Sequence, residues 1–170
     1  MGFYRILIVD DEEPICNFLV SLFSKYGHSC ETAKDGIEAL EKIKKHSFDS
    51  SVIDIVMPHM DGITLTKELV KLYPDLPIMV MTGHTHDHAG KSAIAIGARE
   101  FIKKPFPLYE FIIRFDKMMR DHERLCRVKR ERDEIIFNMH REASEKTEEL
   151  KKKIEILEGK AHLLEPDLWR

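Results

Sequence analysis

The chain has 170 residues, 43% of them hydrophobic, which suits one compact domain with something added. A formal net charge of -3 gives no general attraction to nucleic acid or anionic membrane, and no apolar run approaches the length of a bilayer span. Cys16, Cys30 and Cys126 are odd in number and widely spaced, which points away from a disulfide framework or a zinc knuckle and toward a reduced, cytoplasmic protein.

The start, MGFYRILIVDDEE, lacks the regions of a secretory signal, and Ile6 stands where myristoylation needs Ser or Thr. Within it RILIVD (5–10) is an apolar, β-branched strand ended by Asp10 and Asp11. Over Glu13–Lys25, the residues Ile15, Phe18, Leu19, Leu22 and Phe23 share one helical face. HSCETA (28–33) reads as a second strand of low apolar content, and Gly36–His46 as a helix through Ile37, Leu40 and Ile43. SSVIDI (50–55) is a third strand, and Ile63–Tyr73 a helix carrying Leu65, Leu69 and Leu72. PIMVMT (77–82) is a fourth strand, and His88–Gly97 a helix closed by glycine. EFIK (100–103) is the last strand, with a helix starting after Pro107. Strands and helices alternating in this way predict a parallel sheet covered on both faces.

In such sheets ligands bind at the carboxyl ends of the strands. Asp10 and Asp11 end the first strand, Asp54 the third and Thr82 the fourth, while Lys104 follows the fifth. A lone carboxylate amid Val52, Ile53 and Met57 is costly to bury, so Asp54 is expected to open into that polar edge. Clustered carboxylates need a compensating cation, and hard oxygen ligands suit Mg²⁺ or Mn²⁺. A lysine and a hydroxyl beside such a site can each take one phosphoryl oxygen, and a carboxylate can itself be the nucleophile. Each residue also has a plainer reading: Asp10 and Asp11 as helix caps, Lys104 as a surface lysine, Thr82 as a turn residue, Phe101 as a core aromatic.

Residues 4–120 resemble the receiver domain of two-component response regulators. The resemblance rests on ILIVDDEE, the D-x-x-M-P-x-M-D-G run at 54–62, MTG at 81–83 and GAREFIKKPF at 97–106, in that order and each at a strand end. It implies an α/β, doubly wound, five-stranded parallel sheet of flavodoxin-like order 2-1-3-4-5. It also implies Asp54 as phosphoacceptor, phosphorylated by a cognate histidine kinase. Mg²⁺ (or Mn²⁺) would be held by Asp10, Asp11, Asp54 and the backbone carbonyl of Val56. Lys104 would pair with the phosphoryl group, with a cis peptide expected before Pro105. Thr82 and Phe101 would form the switch, altering the surface of the fourth helix, fifth strand and fifth helix. The resemblance also implies that Val56 and His84, at positions that flank the phosphoryl group in receivers, tune its lifetime. His84 also begins HTHDH (84–88), for which a solvated loop is expected over a metal site. Kinase specificity is expected on Ile15–Leu22 and the loop around Phe106. The expected protein is a phosphoacceptor and not an enzyme acting on another substrate.

The domain reading is a receiver over 1–121, a helical coiled coil over 122–165 and a tail over 166–170. Between Pro107 and Pro166 there is no proline, and Gly159 is the only glycine beyond residue 120, so one helix continues from the receiver. Leu150, Ile154, Leu157, Ala161 and Leu164 follow a heptad seam. Leu125, Val128, Ile135 and Met139 follow another, with Arg132 at a core position and a register discontinuity around Met139–Thr147. Glu142/Lys146, Glu148/Lys152 and Glu149/Lys153 are paired one turn apart. A parallel homodimer through 118–164 is expected, signalling to a downstream protein partner. RLCRVKRER (124–132) raises a basic-zipper alternative, but the run is short and acids follow it, so DNA binding is not expected. A stalk leading to an enzymatic output domain outside this chain is the remaining alternative.

Overall fold

The computed structural model describes residues 2–83 and 89–163. Strands β1 (Arg5–Val9), β2 (Ser29–Ala33), β3 (Ser50–Asp54), β4 (Ile78–Thr82) and β5 (Glu100–Lys103) form one sheet in the order β2-β1-β3-β4-β5. Every neighbouring pair is parallel, as the resemblance implies. Helices α1 (Glu13–Lys25), α2 (Gly36–Lys45), α3 (Gly62–Leu72) and α4 (Ala89–Ala95) connect the strands, and α5 (Leu108–Leu163) follows the last. His84 and the rest of HTHDH, Leu164 and the 166–170 tail lie outside the described residues.

Successive side chains of a strand point to opposite faces, and two cores result. Ile6, Ile8, Val52, Met79 and Met81 pack with Leu19 and Phe23 of α1 and with Phe111 and Phe115 of α5. Leu7, Val9, Ile53, Ile78 and Val80 pack on the other face with Ala39, Ile43, Leu65, Leu69 and Ala93. Cover on both faces is why β4 is apolar without alternation up to Thr82, and why β3 is wholly buried although it carries Ser50, Ser51 and Asp54. β2 is an edge strand and only partly buried over most of its length, which accommodates Glu31 and Thr32.

Helix starts follow local chemistry. The side chains of Asp35 and Asp61 accept the Glu38 and Thr64 N–H at 2.9 and 2.7 Å, capping α2 and α3. At α1 the cap position belongs to Glu12, with proline in the first turn and no side-chain cap hydrogen bond. Asp10 and Asp11 do not occupy the cap position, so the plainer reading of that pair as caps does not hold.

His28 is buried between Phe23 and Phe115, and its Nδ1 accepts the Tyr4 backbone N–H at 3.3 Å. An accepting ring nitrogen requires the neutral imidazole. Burial lowers the His28 pKa, outweighing the opposite pull of the Asp116 carboxylate. A pKa depressed on folding means that the unfolded chain takes up the proton first. This part of the stability is full above about pH 6.5 and declines as pH falls below it. Chemical denaturation at pH 7.5 and 5.5 checks this: the loss of stability on acidification is expected to be smaller in His28→Gln than in wild type.

By packing the chain divides into Met1–His122 and Glu123–Arg170. In the second unit Leu125, Val128, Ile135, Met139, Leu150, Ile154 and Leu157 are 37% to 63% exposed. The helix is unbroken across Met139–Thr147, so the discontinuity there belongs to the apolar seam and not to the backbone. Lys153 pairs with Glu149 at 2.5 Å, one turn apart as expected. No described helix is long and apolar enough to cross a membrane.

Candidate functional site

Because the strands are parallel, their carboxyl ends share one edge of the sheet. Asp10 directly follows β1, Asp54 is the last residue of β3, Thr82 the last of β4, and Lys104 directly follows β5. The backbone holds the lysine there: its N–H donates to the Thr82 carbonyl at 2.7 Å, and the Lys104–Pro105 peptide is cis.

Three of the predicted side chains are in direct contact. Lys104 Nζ lies 2.8 Å from Asp10 Oδ2 and 2.7 Å from Asp54 Oδ1. The remaining oxygens are also engaged: Asp10 Oδ1 accepts the Glu12 N–H at 2.9 Å, and Asp54 Oδ2 accepts the Val56 N–H at 2.7 Å. The side chains of Asp10, Asp54 and Lys104 are 0%, 8% and 18% exposed, so solvent screens this cluster little. Burial raises the Asp10 carboxyl above its ordinary value, against the lowering by Lys104 and the Glu12 N–H. Burial also opposes the Lys104 charge, but the hydrogen bonds it donates to Asp10 and Asp54 outweigh that and hold this ammonium above the ordinary lysine value. The lysine is therefore charged at neutral pH and compensates both carboxylates.

The other predicted residues stand around this cluster. Asp11 is exposed beside it, and Val56 has an exposed side chain on the turn after β3. Thr82 is buried, and among the described residues its hydroxyl donates over a long contact, 3.4 Å, to the Gly83 carbonyl. Phe101 is half-buried and packs against the α2–α3–α4 core. His84 lies outside the described residues.

Among the described residues no three His, Cys, Asp or Glu side chains converge on a common metal position. Lys104 occupies the space between two of the carboxylates. The donor set nonetheless fits a hard cation: it is all oxygen, already compensated by one ammonium, and partly open at Asp11. Mg²⁺ keeps several waters and asks for few protein ligands, which matches such a set.

Two features of the site escape a reading of the sequence. Glu12 comes within 3.6 Å of Lys104, although it is largely exposed. The DDEE run was the available signal. Gly62 packs against the backbone of Asp54, and its place at the end of the 54–62 run was the available signal.

The model of the response regulator receiver domain matches residues 6–116. The chain belongs to the response regulator receiver family. Over 116 residues it is 35% identical to the response regulator MprA of Mycobacterium sp. (strain KMS), covering 68% of this chain and 50% of that protein. The structure of NtrX from Brucella abortus superposes with a TM-score of 0.72 at 31% identity, over 75% of this chain and 29% of that one. A CheY-like receiver domain protein from Methanospirillum hungatei JF-1 gives 0.68 at 27% identity, over 72% of this chain and 98% of its own. The receiver thus spans about half the length of the curated relatives it matches. It is a two-component response regulator receiver domain with a long helix after it.

Proposed function

We propose that this receiver is phosphorylated on Asp54 and relays that state through α5. The observation that carries the reading is the buried Asp10–Lys104–Asp54 cluster at one edge of the sheet. When bound, Mg²⁺ (or Mn²⁺) supplies charge neutralisation to the phosphoryl oxygens. Asp10, Asp11, Asp54 and the Val56 carbonyl are the residues that would hold it. An oxygen of Asp54 attacks phosphorus as the bond to the donor nitrogen of a phosphohistidine protonated on its other ring nitrogen breaks, giving an aspartyl phosphate and a neutral imidazole. Lys104 takes a phosphoryl oxygen, and the Thr82 hydroxyl a second. Phe101 follows Thr82, coupling the site to the face made by α4, β5 and α5.

The donor's docking surface is the open apolar groove of about 450 Å³ lined by Ile15, Phe18, Pro105 and Phe106 beside Lys104. It fits a helix of a cognate histidine kinase, which brings a phosphohistidine to the strand edge. Met118, at the start of the expected 118–164 interface, is buried in the receiver core. The exposed apolar residues of α5 from Leu125 onward support a parallel homodimer, which would cover side chains otherwise left in water. A downstream protein partner reads that helix.

Incubation with a small phosphodonor and Mg²⁺, followed by peptide mass mapping, tests the phosphoacceptor. One phosphoryl group is expected on the peptide holding Asp54, labile to alkali, and absent from Asp54→Asn. Equal labelling of the variant defeats the assignment. Light scattering tests the assembly: twice the monomer mass is expected for the full chain at tens of micromolar. A monomer there, or dimers unaffected by Ile154→Asp with Leu157→Asp, removes the coiled coil.

A further inference from the structure

The turn from β3 to α3, residues 55–61, carries the backbone on which the proposed cation site depends. Its base is closed by the Gly62 N–H donating to the Ile55 carbonyl at 2.9 Å, and by the Val56 N–H bound to Asp54. Its tip, from Pro58 to Met60, reaches across to the start of α2. There the Gly36 N–H lies 3.4 Å from the Met60 carbonyl, and the Met60 side chain covers Gly36. At the same place His59 Nδ1 lies 3.1 Å from Asp35 Oδ2.

Three observations separate this last contact from ordinary packing. His59 has φ 62, the left-handed region that a side chain with a Cβ rarely adopts and that glycine adopts freely. The imidazole is 65% exposed, so burial of the ring does not explain the conformation. Asp35 already caps α2 through Oδ1, so its other oxygen is not needed for the helix, yet its side chain is only 7% exposed and turned to His59. The Glu38 N–H chiefly, and His59 after it, hold the Asp35 carboxyl low against the effect of burial. A contact this exposed on one side adds little to global stability. What it does is tie the tip of one loop to the rigid first turn of a neighbouring helix.

We propose that Asp35 and His59 form a latch that positions the β3–α3 turn, and through it the Val56 carbonyl and the Asp54 carboxylate, for cation and phosphoryl binding. The latch rests on the reading of Asp54 and Val56 given above for what it positions, but not for its own existence. Both members are positioning residues: neither touches the phosphoryl group. A loosened turn spreads the Val56 carbonyl over many orientations, so binding the cation would have to reorder it. That ordering appears as lost affinity.

The test uses the full chain with His59→Gly and His59→Lys. Glycine removes the latch and also relieves the left-handed backbone, so the melting temperature is expected to stay level. Lysine keeps an N–H donor within reach of Asp35 and is expected to behave as wild type. In His59→Gly, Mg²⁺ affinity measured by calorimetry is expected to fall about five-fold or more. The Val56 and Gly62 amides are expected to exchange with deuterium about five-fold faster, with β1 and β4 amides unaltered. Unaltered exchange at Val56 and Gly62 overturns the latch, whatever the metal does. A lowered melting temperature with faster exchange across the whole sheet also overturns it, in favour of a merely structural pair. Absence of Mg²⁺ binding by wild type overturns the proposed metal chemistry, and the exchange result still decides the latch.

Discussion

Gly62→Ala is expected to lower stability by about 3 kcal/mol or more and to disorder the end of β3. A Cβ at this position would lie 2.0 Å from the Asp54 carbonyl oxygen, and 2.9 Å from both the Asp54 carbonyl carbon and Ile55 Cα. All three are backbone atoms, so no rotamer change can make room. Either the first turn of α3 must lift, or the chain after Asp54 must move. Lifting α3 strains the Gly62 N–H bond to Ile55 and the bond from the Thr66 hydroxyl to the Gly62 carbonyl, which is 2.6 Å. Moving the chain after Asp54 pulls its carboxylate from Lys104. Against a typical total of about 5–15 kcal/mol, this is a large fraction. Calorimetry is expected to show the melting temperature reduced by about 10 °C or more. A variant melting within a degree of wild type would mean that the close approach is not a real constraint.

Lys104→Met is expected to cost about 3 kcal/mol at pH 7, because removing one partner leaves buried charge uncompensated. Methionine matches the length of the stem, so the loss is of charge and hydrogen bonds more than of packing. Asp10, with a fully buried side chain, and Asp54 would then face each other without the ammonium that now lies under 3 Å from each. The pH dependence has a definite sign. The Asp10 carboxyl is raised by burial even with Lys104 present, and the variant removes a lowering influence. A carboxyl whose folded pKa lies above its unfolded value favours folding below the unfolded value, near 3.9, and loses that contribution as pH rises through the folded one. The deficit of the variant is therefore largest at neutral pH and narrows toward pH 4. Urea denaturation of both proteins at pH 7 and pH 4.5 measures it. An equal deficit at both values would show that packing, and not charge, is what Lys104 contributes.

Much of the fold was legible because its signals are local. Runs such as RILIV and IMVMT are apolar without alternation, which only a strand covered on both faces can use. The helical faces of α1, α2 and α3 repeat their apolar positions at helical spacing, and these pack onto the two cores except for Phe18, Ile37 and Leu72, which are exposed. The unbroken α5 was visible in the absence of proline from its interior. Asp54 stood out for the same reason: an acid inside an apolar strand needs a nearby partner.

The identity of that partner was a different matter. Lys104 and Asp10 are 94 positions apart, and nothing in either neighbourhood specifies that one ammonium will bridge two carboxylates. The latch was invisible for the same reason: Asp35 and His59 are 24 positions apart. In the sequence, one merely precedes the helix read over Gly36–His46, and the other is an unassigned position between Pro58 and Met60. Gly62 stands just before the helix read over Ile63–Tyr73, but its contact with the Asp54 backbone depends on how α3 returns against β3.

The sequence by itself determined the alternation of elements, the polar strand ends and the long terminal helix, because periodicity and burial act over neighbouring residues. Only the tertiary structure decided which charges pair, which glycine admits no side chain and which loops are tied together. Those outcomes depend on through-space distances of about 3 Å, over which hydrogen bonds and ion pairs form or fail, and chain folding sets such distances between residues far apart in sequence.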